Sequence, residues 1–426
     1  MSEIRRVAIV GGQRIPFCRS SGKYMGISNR ELVTHAVNSV VAKYNLSGKE
    51  IGEVVLGAVV KHSSDWNLAR ETVLGTQLHP ATPAYDIQQA CGTSLESCML
   101  VANKIALGQI DVGIGAGTDT NSDIPVVFKQ EFAHRLLRMN KQKSPAGQIK
   151  ELSGILTHPS ELLPKLPGVT EPRTKLSMGQ HCELMAKEWN ISREEQDELA
   201  YLSHKTASEA YEAGWYNDLV VPFNGVEKDN NVRPDTSIEK LAKLRTAYDR
   251  SEKGTLTAGN STPLTDGAAA VLLCSEEYAK QNDLPVLAYL THCQTAAVDH
   301  VKGDGLLIAP TVAVAKMIQR AGIKLQDFDF YEIHEAFAAQ VLCTLKAWES
   351  EEYCSKKMGL SSALGSIDRS KMNVRGGSLA VGHPFAATGA RIVAGLAKMI
   401  DEAGSGRGLI SVCTAGGMGV TAILEK

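Results

Sequence analysis

The sequence contains no C-x-x-C pair, no apolar run approaching the length of a membrane span, and no excess of one charge. The first absence excludes zinc-ribbon and dithiol chemistry. The second excludes a spanning helix. The third, 45 basic against 47 acidic residues for a formal charge of −2, removes the global electrostatic signature of a nucleic-acid or anionic-membrane binder. A local basic run from Arg135 to Lys143 reads either as a solvated face or as a contact for a small anion. The nine cysteines are odd in number and scattered, which suggests free thiols in a reducing compartment, neither a disulfide framework nor a metal site. The chain passes almost at once into a strand-like segment at Val7, so no leader peptide is expected and the cytoplasm is the expected location.

With 426 residues and 43% hydrophobic content, the chain has material for two or three packed domains. Strand-like segments at 7–10, 54–58 and 112–116 alternate with helical patterns at 31–44 and 95–107, which predicts an α/β fold with a largely parallel sheet. Residues 128–254 have a different texture, charged and proline-bearing. Within them Ser192 and Glu195 form a capping-box signature ahead of a helix. Such a segment between two α/β regions reads as an inserted loop or lid domain. The expected division is a first half of 1–127 with 255–280, a lid of 128–254 and a second half of 281–426. Both α/β regions run turn, helix, strand, glycine in the same order, a weak sign of duplication that would bring their junction loops to one site.

Three junctions carry reactive groups. In Gln89-Ala90-Cys91-Gly92-Thr93-Ser94 the cysteine stands where a strand ends and a helix begins, and the positive end of a helix favours a thiolate. In Gly382-His383-Pro384 an imidazole is held between a permissive and a rigid residue, suited to act as general base for a thiol. In Cys413-Thr414-Ala415-Gly416-Gly417 a second cysteine at a strand end precedes flexible backbone whose amides could stabilise an oxyanion. A second imidazole, His334, lies in His334-Glu335-Ala336-Phe337 after another strand-like segment. The run Gly113-Ile114-Gly115-Ala116-Gly117 lacks the spacing of a dinucleotide loop.

Taken in order with Arg14-Ile15-Pro16-Phe17, Asn67-Leu68-Ala69-Arg70 and Gly259-Asn260-Ser261-Thr262-Pro263, these motifs resemble the thiolase family over nearly the whole chain, most of all the thiolase subunits of fatty-acid β-oxidation complexes. The resemblance implies duplicated α/β halves in five α-β-α-β-α layers with an inserted loop domain. It implies Cys91 as acylated nucleophile, His383 as its base, Cys413 as proton shuttle, and two oxyanion sites: the amides of Cys91 and Ala415, and His383 with His334. It further implies coenzyme A as co-substrate, met by Arg233, Tyr248 and Thr262, no permanent cofactor, a homodimer or tetramer, and a hydratase/dehydrogenase partner subunit. The chain departs from the common pattern at His334, where many relatives have asparagine, at Ala415, where glycine is usual, and at Gln88, often asparagine. The alternatives are a biosynthetic acetoacetyl-CoA thiolase, a decarboxylating ketoacyl synthase, and a non-catalytic scaffold.

Overall fold

The computed structural model describes residues 4–168 and 170–426. Its principal strands are β1 (Val7–Arg14), β2 (Glu53–Leu56), β3 (Ala84–Asp86), β4 (Val112–Asp119), β5 (Thr265–Ser275), β6 (Ala288–Ala297), β7 (Phe330–Ile333), β8 (Arg407–Thr414) and β9 (Met418–Glu425). They lie in the order β3-β2-β4-β5-β1-β6-β9-β8-β7. The first half reads β2-β4-β5-β1 and the second reads β7-β8-β9-β6, so the same arrangement occurs twice. The halves pair edge to edge at Ala8 with Tyr289 and Ile9 with Ala288.

The sheet is mixed, not largely parallel. Pairings β2–β3, β2–β4 and β7–β8 are parallel, whereas β4–β5, β5–β1, β1–β6, β6–β9 and β9–β8 are antiparallel. The reason is visible at the end of β8. Residues 415–417 are too short for a crossover, so β9 returns antiparallel beside its predecessor. In the first half the equivalent strands β4 and β5 are joined instead by residues 120–264.

Alternation along the strands explains the layering. Ile9, Val271, Leu273, Ile410, Val412, Val420 and Ala422 face one core, while Ala8, Val10, Leu272 and Cys274 face a second, and Leu409 and Ile423 a third. The first core is filled by α2 (Thr93–Ala106) and α7 (Thr388–Ala403), sandwiched between the two half-sheets. Gly389 makes this possible, since a Cβ there would lie 2.3 Å from the Leu95 nitrogen. The Ser94 hydroxyl accepts from the Ala390 amide at 2.8 Å and tethers the start of α7 to α2. Outside the first half-sheet packs α1 (Asn29–Lys43). Outside the second pack α5 (Pro310–Ala321) and α6 (Ala338–Glu349). The result is the expected five layers.

Within residues 120–264, α3 (Met178–Glu188) and α4 (Arg193–Glu212) both open with complete capping boxes, from Ser177 with Gln180 and from Ser192 with Glu195. Each cap is worth about 1 kcal/mol. Cys182, Met185, Leu199 and Ala200 bury themselves in the third core beside α6. The basic run falls mainly on the helix Gln130–Lys141, where Arg135 pairs with Glu161 at 3.0 Å and Arg138 with Glu151 at 3.2 Å. The glycines from 113 to 117 lie inside β4, all buried, with no loop to cradle a phosphate.

Candidate active site

The chain reaches Cys91 through a strained turn. Ala90 has φ +46°, a left-handed conformation that costs an L-residue about 1–2 kcal/mol. Thr93 clamps it: its hydroxyl accepts from the Gln89 amide at 2.9 Å and donates to the Ala90 carbonyl at 2.7 Å. Cys91 therefore sits in the short turn Ala90–Gly92 that feeds α2, with part of its surface open.

His383 arrives from the other half. Its Nε2 lies 3.1 Å from Cys91 Sγ, and its Nδ1 lies 2.6 Å from the Thr388 hydroxyl at the start of α7. Its backbone N–H donates to Thr265 Oγ1 at 2.8 Å. Gly382, at φ +103°, brings the loop so close to Thr265 that a Cβ would meet that side chain at 2.9 Å.

His334 follows β7 directly, and its ring centroid is 4.2 Å from that of His383. One donor atom each from Cys91, His334 and His383 all fall within 4.8 Å of one another. His334 Nδ1 lies 2.9 Å from Ser378 Oγ, whereas its Nε2 is buried without a partner. The neighbouring Glu335 has a structural task, accepting from Ser203 of α4 at 2.7 Å, Asn373 at 2.6 Å and the Leu379 amide at 3.2 Å. It ties the inserted segment to the turn that carries Ser378.

Cys413 is fully buried near the end of β8. The next residue, Thr414, closes against the nucleophile turn, where a Cβ on Gly92 would meet its Cγ2 at 3.0 Å. The backbone amides of Ala415 and of Cys91 itself favour the thiolate form of Cys91.

The resting charge state differs from the one expected at a helix start. Burial pushes the Cys91 thiol up to about 12, with the Ala415 amide opposing it and Asp119 adding to it. Burial, then Arg391, pushes His383 down to about 3. Burying an anion costs more here than the helix end returns, so the pair rests as thiol and neutral imidazole. Burial raises Cys413 well above the ordinary thiol range, helped by the nearby Cys91 sulfur. His334 is held far below the ordinary range by burial first, then by His383 and Arg391.

A cleft of about 280 Å³ is lined by Arg19, His204, Arg233, Asp235, Lys240 and Ser261 among others, with Lys240 paired to Asp235 at 2.9 Å. It adjoins the site through the backbone bridge between Leu264 and His383. Its cations are crowded: burial, then Arg233 and Arg19, push His204 down to about 4, and burial with Arg233 lowers Arg19. An anion placed there relieves that repulsion. Of the three residues expected to meet coenzyme A, only Arg233 lines this cleft. The Thr262 hydroxyl is already used, donating to the Ser378 carbonyl at 2.9 Å, and Ser261 beside it faces the cleft instead. Tyr248 packs edge-on to Phe337 with ring centroids 5.9 Å apart.

Sequence reasoning missed Thr388, Ser378, Arg391, Arg19 and Lys240. The first three lie in the Gly-Ser and Thr-Gly-Ala-Arg segments flanking Gly-His-Pro, but Ser378 and Arg391 belong to different helices and no single helical spacing joins them. Nothing local marks Arg19 or Lys240.

Residues 7–277 match the family described as Thiolase, N-terminal domain, and residues 284–426 match Thiolase, C-terminal domain. The chain belongs to the thiolase family. It is 42% identical to a 3-ketoacyl-CoA thiolase of Pectobacterium carotovorum subsp. carotovorum (strain PC1), over 99% of this chain and 96% of that protein. It is 41% identical to a 3-ketoacyl-CoA thiolase of Shewanella sediminis (strain HAW-EB3), over 99% of this chain and 97% of the relative. Among solved structures, human mitochondrial 3-ketoacyl-CoA thiolase in complex with CoA superposes with a TM-score of 0.81 at 27% identity, covering 100% of both chains. The Bacillus anthracis acetyl-CoA acetyltransferase superposes with a TM-score of 0.81 at 29% identity, again over 100% of both chains. In this thiolase-family chain, Cys91, Asp119, His334 and Cys413 all come from the carboxyl ends of strands or the turns that follow them, where open α/β sheets place their ligands.

Proposed function

We propose that the chain catalyses CoA-dependent cleavage of 3-ketoacyl-CoA to acetyl-CoA and an acyl-CoA two carbons shorter. The observation that carries this reading is the 3.1 Å approach of His383 Nε2 to Cys91 Sγ. His383 takes the thiol proton as Cys91 attacks the 3-keto carbon. The resulting alkoxide is met by the Cys91 and Ala415 amides. The C2–C3 bond then breaks, leaving an acyl-Cys91 thioester and an acetyl-CoA enolate. Imidazolium His383 and the Nε2 of His334 face the enolate oxygen, and Cys413 protonates its carbon. The raised pKa of Cys413 suits this task, since the thiol stays protonated until a carbanion needs it. The Cys413 thiolate next takes the proton of incoming coenzyme A, whose sulfur displaces the acyl group, and His383 returns its proton to Cys91. Atoms and protons balance over the ping-pong cycle.

The cationic cleft is the proposed bed for the coenzyme A phosphates, with residues 128–254 as the lid that supplies Arg233 and Lys240. Replacing Arg233 with alanine is expected to raise the KM for coenzyme A about tenfold with little change in kcat, as loss of one charge-assisted hydrogen bond does. Steady-state kinetics across salt concentrations checks this, and the variant's KM should vary less with salt than the parent's.

The same reading places the enzyme in fatty-acid β-oxidation in the cytoplasm, as a homodimer or tetramer that can join a hydratase/dehydrogenase subunit. Because the Cys91–His383 pair is neutral at rest, the rate constant for acylation of Cys91 by acetyl-CoA is expected to stay level from about pH 7 to pH 9. A rise through a midpoint near the ordinary histidine value in rapid-quench measurements would contradict the neutral pair. The deciding assay follows 3-ketoacyl-CoA by its absorbance with and without coenzyme A. CoA-dependent loss with formation of two acyl-CoAs supports the proposal. Condensation of malonyl thioesters in its place, with no thiolysis, overturns it.

A further inference from the structure

Behind His334 lies a buried thread of polar groups that takes no direct part in the chemistry above. Arg391 of α7 donates from Nη2 to Ser378 Oγ at 3.1 Å, and Ser378 Oγ lies 2.9 Å from His334 Nδ1. All three residues are buried. Glu332, on β7, is buried as well; burial lowers Arg391, and Glu332 is the largest influence opposing it. The two residues line a small cavity between the half-sheets that is shared with Arg14, Arg375 and Tyr216.

The proton inventory of this thread favours the arrangement that leaves the fewest buried polar atoms unpaired. A guanidinium has donors and no acceptor, so Ser378 Oγ must accept from Arg391. The hydroxyl then has one proton to give, and the one acceptor shown within its reach is His334 Nδ1. If His334 carried its proton on Nδ1, Ser378 would face two donors and its own proton would be buried without a partner. His334, neutral in this apolar setting, therefore keeps Nδ1 bare and its proton on Nε2. That is the nitrogen which is buried without a partner among the described residues, on a ring whose centroid is 4.2 Å from that of His383. His383 needs the opposite tautomer, with Nε2 bare to accept the thiol proton and Nδ1–H donated to Thr388.

We propose that Arg391 is a positioning residue which, through Ser378, fixes His334 in the Nε2–H tautomer and so makes it a standing hydrogen-bond donor to the substrate oxygen. The inference rests on the acyl-transfer reading for its purpose and on hydrogen-bond geometry alone for its content. A donor that needs no tautomer change when charge develops is preorganised for it. The device answers a difficulty that histidine brings to this position: an imidazole offers a donor or an acceptor according to its tautomer, so something must choose.

The test uses the full-length chain labelled with ¹⁵N-histidine, and the variants S378A, R391M, R391K and the double variant S378A/R391M. Long-range ¹H–¹⁵N spectra of the resting protein, assigned with an H334N control, should show His334 with a bare Nδ1 and a protonated Nε2. S378A leaves Arg391 and Glu332 in place, so it keeps the proposal testable even if R391M, which strands a buried carboxylate, fails to fold. S378A is expected to shift His334 toward the other tautomer and to lower kcat about 30-fold with KM within about twofold, the pattern of an interaction made in the transition state. R391K, which retains a donor, should recover most of the loss seen in R391M. The double variant should be no slower than the worse single variant, because both cut one thread. A wild-type spectrum with the proton on Nδ1, an S378A spectrum unchanged from wild type, or multiplicative losses in the double variant would each overturn the proposal. The tautomer is read without substrate, so a protein with the expected spectrum and no thiolysis would refute the functional reading while leaving the tautomer control intact.

Discussion

Replacing Cys91 with serine is expected to lower kcat/KM for thiolysis by at least about 10⁴-fold while circular dichroism and melting temperature stay within error. The substitution exchanges one atom in a turn whose backbone is held by Thr93 and by the packing of Gly92 on Thr414. The fold has little reason to respond. The chemistry has two. A hydroxyl is far harder to ionise than a thiol, and here even the thiol is pushed up to about 12 by burial, so the neutral imidazole of His383 takes a serine proton far less readily. An acyl group that did reach the oxygen would be an ester, and returning it to coenzyme A as a thioester runs uphill.

Replacing Cys413 with alanine is expected to lower thiolysis by about 10³-fold, through the protonation of the enolate rather than through nucleophilic attack. Acyl transfer from acetyl-CoA to Cys91 should persist at a reduced rate in this variant, because His383 is untouched and coenzyme A, a thiol, can leave as its thiolate without the Cys413 proton. Exchange of the acetyl-CoA α-protons with deuterated solvent should disappear. The two readouts separate the cysteines: one loses the covalent step, the other keeps it and loses the carbon acid chemistry. Exchange at normal speed in Cys413→Ala would remove that residue from its role. The buried side chain is small, so the destabilisation should stay near 1 kcal/mol.

Much of this was legible in the linear sequence, for physical reasons that can be named. The glycines and prolines around His383 announced a constrained loop, and Gly382 with φ +103° shows the constraint. Capping signals placed the start of α4 correctly at Ser192. The repeated order of turn, helix and strand pointed to two equivalent half-sheets. What failed depended on non-local balance. The charge state of Cys91 turned on burial, which no helix-start rule contains. Strand direction turned on a three-residue connection after β8 and a long insertion after β4, neither of which alternation can see. The Thr262 hydroxyl donates to the Ser378 carbonyl, a contact between segments 116 positions apart, while Ser261 lines the cleft. Arg391 was invisible because its meaning lies in Ser378, thirteen positions away, and in a histidine from another strand.

The central claim is that Cys91 carries the acyl group between two molecules of coenzyme A. Its most direct test is peptide mass spectrometry of enzyme quenched within milliseconds of mixing with a 3-ketoacyl-CoA and no free coenzyme A. The account predicts an acyl group two carbons shorter than the substrate on the peptide containing Cys91, discharged when coenzyme A is added. An adduct on another residue, or none in protein that still consumes substrate, would contradict it.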